Sequence, residues 1–159
     1  MGVGKGTIAR ALIQKTKRFG VDTDDLIESM ENKKIKTIFE EKGEPYFRKL
    51  EKKTAKWLTC NVQNCIISTG GGFYKVPKIK KIGTIIYLKS SFDGILNRIK
   101  SCENAEQKLA KRPLFQDEQR AIKLFKERAP LYQKKADFVI DVENKSIKQI
   151  VNEIIKLDI

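Results

Sequence analysis

No run of apolar residues in this chain approaches the roughly 18 that cross a bilayer, and Met1-Gly2 leads into no hydrophobic targeting segment. A membrane span and a secretory signal are therefore not expected. The start also resembles an acylation site, but that pattern wants Ser or Thr at position 6, where this chain has Gly6. Cysteine is scarce. Cys60, Cys65 and Cys102 are odd in number and lack metal-ligand spacing, which fits reduced thiols in a cytoplasmic protein. Acidic residues are the other deficit: 20 Asp and Glu stand against 33 Lys and Arg, a formal net charge of +13. Such an excess suits nucleic acid or small anions. The bases are mostly lysines dispersed along the chain, with local clusters at Lys75–Lys81 and Lys108–Arg112. The first cluster reads as a solvated surface, and no nucleic-acid partner is expected.

What is present is a globular composition, 40% hydrophobic and 8% aromatic in 159 residues, enough for one domain with a real core. The first seven residues organise the rest. Gly2-Val3-Gly4-Lys5-Gly6-Thr7 reads as the back half of a phosphate-binding loop, G-x-x-x-x-G-K-[ST]. Its glycines let several backbone N–H groups point at one phosphate, and Lys5 adds a compact positive charge. A helix expected from about Thr7 to Lys17 aims its positive end at the same place. The hydroxyl that usually follows the lysine and touches Mg²⁺ is replaced by Gly6, with Thr7 one position later.

Beyond the loop, helical and strand patterns alternate. Phe19–Asp22 reads as a short strand, followed by helical stretches at 26–33 and 37–42. Gly43-Glu44-Pro45 marks a break, with Pro45 suited to the first turn of a helix carrying Phe47, Leu50, Thr54, Trp57 and Leu58. Cys65–Ser68 and Thr84–Leu88 read as buried strands, with a helix over Phe92–Ile99 after the second. Residues 101–117 are polar and weakly periodic, as in a mobile loop. A helix from about Gln119 should end at Ala129-Pro130. Asp137–Asp141 is the last strand, and Ile147, Ile150, Val151, Ile154 and Ile155 form the apolar stripe of a closing helix. Continuous apolar strands between helices predict an α/β protein with a parallel sheet covered on both faces.

In such sheets ligands collect beyond the carboxyl ends of strands. Asp22-Thr23-Asp24 closes one strand and Gly70-Gly71-Gly72 another. Helix capping accounts for the first group on its own, and an ordinary turn for the second. Their coincidence with a phosphate loop favours a shared site.

Six motifs in register resemble shikimate kinase over almost the whole chain. They are Gly2–Thr7; Asp22-Thr23-Asp24-Asp25-Leu26-Ile27-Glu28; Gly43-Glu44-Pro45-Tyr46-Phe47-Arg48-Lys49-Leu50-Glu51; Ser68–Gly72; Arg112-Pro113-Leu114; and Arg128-Ala129-Pro130-Leu131-Tyr132. The resemblance implies a P-loop kinase sheet of family order 2-3-1-4-5, a single domain over 1–159, and a lid at about 101–117. It implies transfer of the ATP γ-phosphate to the 3-hydroxyl of shikimate in chorismate and aromatic amino acid biosynthesis. Gly2, Val3, Gly4, Lys5, Gly6 and Thr7 would bind ATP, together with Arg112 from the lid. Asp24 would orient the reacting hydroxyl as general base. Arg48 and Arg128 would clamp the carboxylate, and Gly70, Gly71 and Gly72 would let substrate approach closely, Gly71 above all. Lys5, Asp24 and Arg112 are the catalytic set, and Mg²⁺ would rest on ATP, water and Asp22. A cytoplasmic monomer is expected. Gly-Lys-Gly-Thr is also similar to the loop of nucleoside monophosphate kinases, the alternative activity. A degenerate relative, or a basic protein that binds nucleic acid, is the non-enzyme alternative. Because the family's first strand precedes the phosphate loop, Met1 is expected to be an internal methionine with an apolar strand encoded upstream.

Overall fold

The computed structural model describes residues 2–100 and 117–159. They form two compact units, one spanning Lys5–Thr84 and the other Ile85–Ile159 with Gly2, Val3 and Gly4.

In the first unit, helix α1 (Lys5–Thr16) precedes strand β1 (Phe19–Asp22), helix α2 (Thr23–Glu31), the long helix α3 (Ile35–Asn61) and strand β2 (Cys65–Ser68). β1 and β2 pair in parallel, with Phe19 opposite Cys65 and Asp22 opposite Ser68. Both strands therefore end at the same level. α1 packs on this pair, and Gly20 is the residue that permits it, because a Cβ there would lie 2.0 Å from Cδ1 of Ile13. α2 starts sharply, with the Asp22 carboxylate accepting from the Asp24 N–H at 2.9 Å, and stops at Asn32 in the left-handed region. Ile27, Ile38, Phe47 and Leu50 form the core between α2 and α3. The break read at Gly43-Glu44-Pro45 is present: within α3 two helical stretches meet at Gly43, whose φ 72° and ψ 174° are not helical. Only glycine adopts that backbone at little cost, and Pro45 restarts the helix without needing the N–H it lacks.

The second unit contains strand β3 (Ile86–Lys89), helix α4 (Phe92–Lys100), helix α5 (Glu118–Lys135), strand β4 (Phe138–Asp141) and helix α6 (Ile147–Ile155). β3 and β4 are again parallel, Ile86 opposite Phe138 and Lys89 opposite Asp141. These two parallel pairs are those that the order 2-3-1-4-5 gives its second and third, and its fourth and fifth, members. α6 opens with a reciprocal Ser146–Gln149 capping box and buries Ile150, Val151 and Ile154. Its stripe is narrower than its sequence suggests, since Ile147 and Ile155 are exposed.

One boundary is corrected outright. α5 does not end at Ala129-Pro130 but runs through Pro130 to Lys135. Proline removes one hydrogen bond and crowds the preceding turn. The next turn is nevertheless held, with the Tyr132 ring 5.5 Å from that of Tyr87 on β3 and the Ala136 N–H bonded to the Tyr132 carbonyl. Tertiary packing outweighs the local penalty. The lid read at 101–117, apart from Asp117, lies outside the described residues.

Candidate active site

The carboxyl ends of β1 and β2 carry the acidic run and the glycine run. Thr23, fully buried, accepts the Gly70 N–H on its hydroxyl at 3.0 Å and ties the two together. Asp24 then lies directly against the glycines. A Cβ at Gly70 would be 2.4 Å from Asp24 Oδ1, and a Cβ at Gly72 would be 2.1 Å from Arg48 Nη1. Gly70 and Gly72 thus make room for the two side chains read as substrate ligands, a task distinct from the close approach of substrate.

Arg48 is held by two carboxylates of its own helix, one turn to either side. Its Nε and Nη2 donate to Glu44 Oε1 at 2.9 and 2.7 Å, and its Nη1 donates to Glu51 Oε2 at 2.7 Å. Glu51 is 1% exposed, and its second oxygen has no hydrogen-bond partner among the described residues. Glu44 is more than half exposed. The inner carboxylate is therefore fixed and the outer one displaceable.

The chain contains no histidine, so a proton acceptor near neutrality must come from elsewhere. Asp24 meets that need. Burial, then the charges of Asp22 and Glu51, push its carboxyl from an ordinary 3.8 up to about 6 against the opposing pull of Lys5. Lys5, Asp22, Asp24, Arg48 and Gly70–Gly72 all belong to the first unit.

Within the second unit, Gly2 and Gly4 take φ 65° and 89°, the conformations a glycine loop requires. Val3 is buried, and Arg98 donates to its carbonyl at 3.0 Å and to the Val142 carbonyl at 2.8 Å. Arg98 on α4 thereby fastens the loop to the chain that leaves β4. Arg128 lies on α5, in this same unit. Arg112 lies outside the described residues.

Sequence reading left Thr23, Glu44, Glu51 and Arg98 without roles. Three of them stand inside the quoted motifs, and for Glu44 and Glu51 a position one turn from Arg48 was the available signal. Arg98 carried no local signal, because its partners are 95 and 44 positions away in the chain.

As for Mg²⁺, no group of three or more acidic, histidine or cysteine side chains is assembled to hold a metal among the described residues. Position 6 does not force the loss of the usual hydroxyl, since a Cβ there would meet only Arg10 Nη1, at 3.5 Å. Asp22 is the carboxylate available. One protein carboxylate, with phosphate oxygens and water, fits an ion that keeps most of its own shell.

The family model described as shikimate kinase matches residues 1–158. The chain is 37% identical to a shikimate kinase of Helicobacter hepaticus, over 98% of this chain and 90% of that one. It is 40% identical to a shikimate kinase of Persephonella marina, over 98% and 92%. Among solved structures, shikimate kinase from Acinetobacter baumannii in complex with shikimate superposes with a TM-score of 0.82 at 29% identity, covering 99% of this chain and 88% of the other.

Proposed function

The chain belongs to the shikimate kinase family, and we propose that it transfers the γ-phosphate of ATP to the 3-hydroxyl of shikimate. One observation carries the reading. A carboxylate of raised proton affinity and a guanidinium are packed side by side against one glycine loop, with a phosphate-loop lysine acting on that carboxylate. This is the complement of a small molecule that carries a hydroxyl to be activated and a carboxylate to be held.

Asp24 accepts from the reacting hydroxyl and takes its proton as the P–O bond forms. Arg48 and Arg128 bind the substrate carboxylate, which takes the place of Glu44 on Arg48 while Glu51 keeps the guanidinium aligned. Gly70, Gly71 and Gly72 line the approach of the ring. Lys5 and the N–H groups of Gly2–Thr7 offset phosphate charge, and Arg112 closes over the nucleotide from the lid. Asp22 would help hold Mg²⁺ brought in with ATP, and the ion would supply neutralisation of phosphate charge. The working molecule is a cytoplasmic monomer that serves chorismate and aromatic amino acid biosynthesis.

The deciding experiment is a coupled ADP-release assay with shikimate, with nucleoside monophosphates, and with neither. ADP release that depends on shikimate is expected. Release that depends on a nucleoside monophosphate instead would assign the loop to the other kinase class.

A further inference from the structure

Two stretches of the first unit differ in how their lysines are paired. Between residues 33 and 42 each of the four has a carboxylate: Lys33 with Glu41, Lys34 with Glu28, Lys36 with Glu40 and Lys42 with Glu31. From residue 52 to residue 84 the chain has seven lysines and neither Asp nor Glu. α3 crosses this boundary without interruption, so its first half is charge-balanced and the turns beyond Glu51 are purely basic.

The fold gathers these residues. A groove of about 350 Å³ runs between the later turns of α3 and the segment 77–81, with Lys52 and Lys56 on one wall and Lys78 and Lys81 on the other. Ala55 and Pro77 line it between them. Among the described residues no carboxylate pairs with these four lysines. Trp57, 46% exposed, does not line the groove but lies on α3 one turn before Cys60, which does.

We propose that this groove is a second binding site, for single-stranded nucleic acid. The lysines take successive phosphates and Trp57 offers its ring to a base. Opposed cationic walls, with an exposed aromatic one turn along α3 from the lining Cys60, fit a flexible polyanion that enters between them. A flat anionic membrane would reach only one wall. The dispersal of lysines along the chain hid this arrangement, because the two contributing segments are separated by β2 and the glycine loop. None of the groove residues belongs to the machinery assigned to phosphoryl transfer.

Trp57 is the only tryptophan, so its fluorescence reports the later turns of α3 alone. The full chain would be titrated with an oligouridylate of about 16 nucleotides at several salt concentrations. Saturable quenching is expected, with a slope of log K against log salt of about −3, the value for four phosphates on a single strand. Replacing all four lysines (Lys52→Ala, Lys56→Ala, Lys78→Ala, Lys81→Ala) should weaken binding at least about tenfold and flatten the slope, with shikimate-dependent ADP release retained as proof of folding. If that variant does not fold, the Lys52/Lys56 and Lys78/Lys81 pairs changed separately give the same reading. Trp57→Ala, followed by anisotropy of a labelled oligonucleotide, should bind about 5- to 100-fold more weakly. Absence of quenching at low salt, unchanged affinity in the lysine variant, or displacement of the oligonucleotide by saturating ATP would each overturn the proposal. So would binding to vesicles of phosphatidylserine and phosphatidylcholine without binding to the oligonucleotide.

Discussion

Asp24 lies half-buried among Asp22, Asp25 and Glu51 with Lys5 to offset them, and its proton affinity follows from that setting. Below about pH 6 the carboxyl is protonated and cannot take the proton of a hydroxyl. The shikimate kcat/KM should therefore fall on the acid side with a limb near that value. Asp24→Asn should abolish the limb and lower turnover at least about 100-fold, and near-normal turnover would remove Asp24 from the chemistry. The same shift has a consequence for stability. The folded state binds the proton more tightly than the unfolded one, so folding is weakened as pH rises from about 4 to about 6. Asp24→Asn should accordingly raise the denaturation free energy at pH 7, by about 1–2 kcal/mol, and leave it unchanged below pH 4. A variant that is slower and also more stable is the signature of a charge kept for function at the expense of the fold.

At the scale of elements, α3 feeds the core from both sides of its kink, through Ile38 before it and Phe47 and Leu50 after it. The glycine at 43 resets the helix, and the turns that follow present Glu44, Arg48 and Glu51 on one face at spacings of four and three. Gly72, from a different element, sets the other limit of the guanidinium. Gly72→Ala should push Arg48 out of place and raise the KM for shikimate about 10- to 100-fold, the worth of a charged hydrogen bond, with the KM for ATP nearly unchanged. Steady-state kinetics with each substrate varied in turn would check this, and an equal rise in both constants would contradict it. Arg48→Ala should reproduce the pattern. The helix boundaries show how far local signals reach. Asp22 and Gly43 mark a helix start and a kink by backbone chemistry and were legible, whereas the stop at Asn32 and the cap at Ser146 were not read from the sequence. Pro130 is a local signal too, yet α5 passes through it because Tyr132 packs on Tyr87.

For the molecule as a whole, ligands that bind only the folded state must stabilise it. ATP at about 100 times its dissociation constant should add about 2.7 kcal/mol, and shikimate a comparable amount, each readable as a rise in melting temperature. Shikimate without any such effect would place the substrate elsewhere. The order of motifs, the alternation of strand and helix, and the position of Asp24 and of the glycine run at the ends of β1 and β2 were all set by sequence alone. Residue type and spacing govern periodicity, capping and turn conformation, and these act over a few positions. Tertiary structure decided what no window of sequence holds: that Glu51 is buried against Arg48, that Gly70 and Gly72 clear space for Asp24 and Arg48, that Arg98 grips Val3, and that lysines from α3 and from 77–81 face one groove. The physical reason is that burial, proton affinity and charge pairing depend on distance in space. Folding is what makes positions such as 24 and 70, or 3 and 98, neighbours.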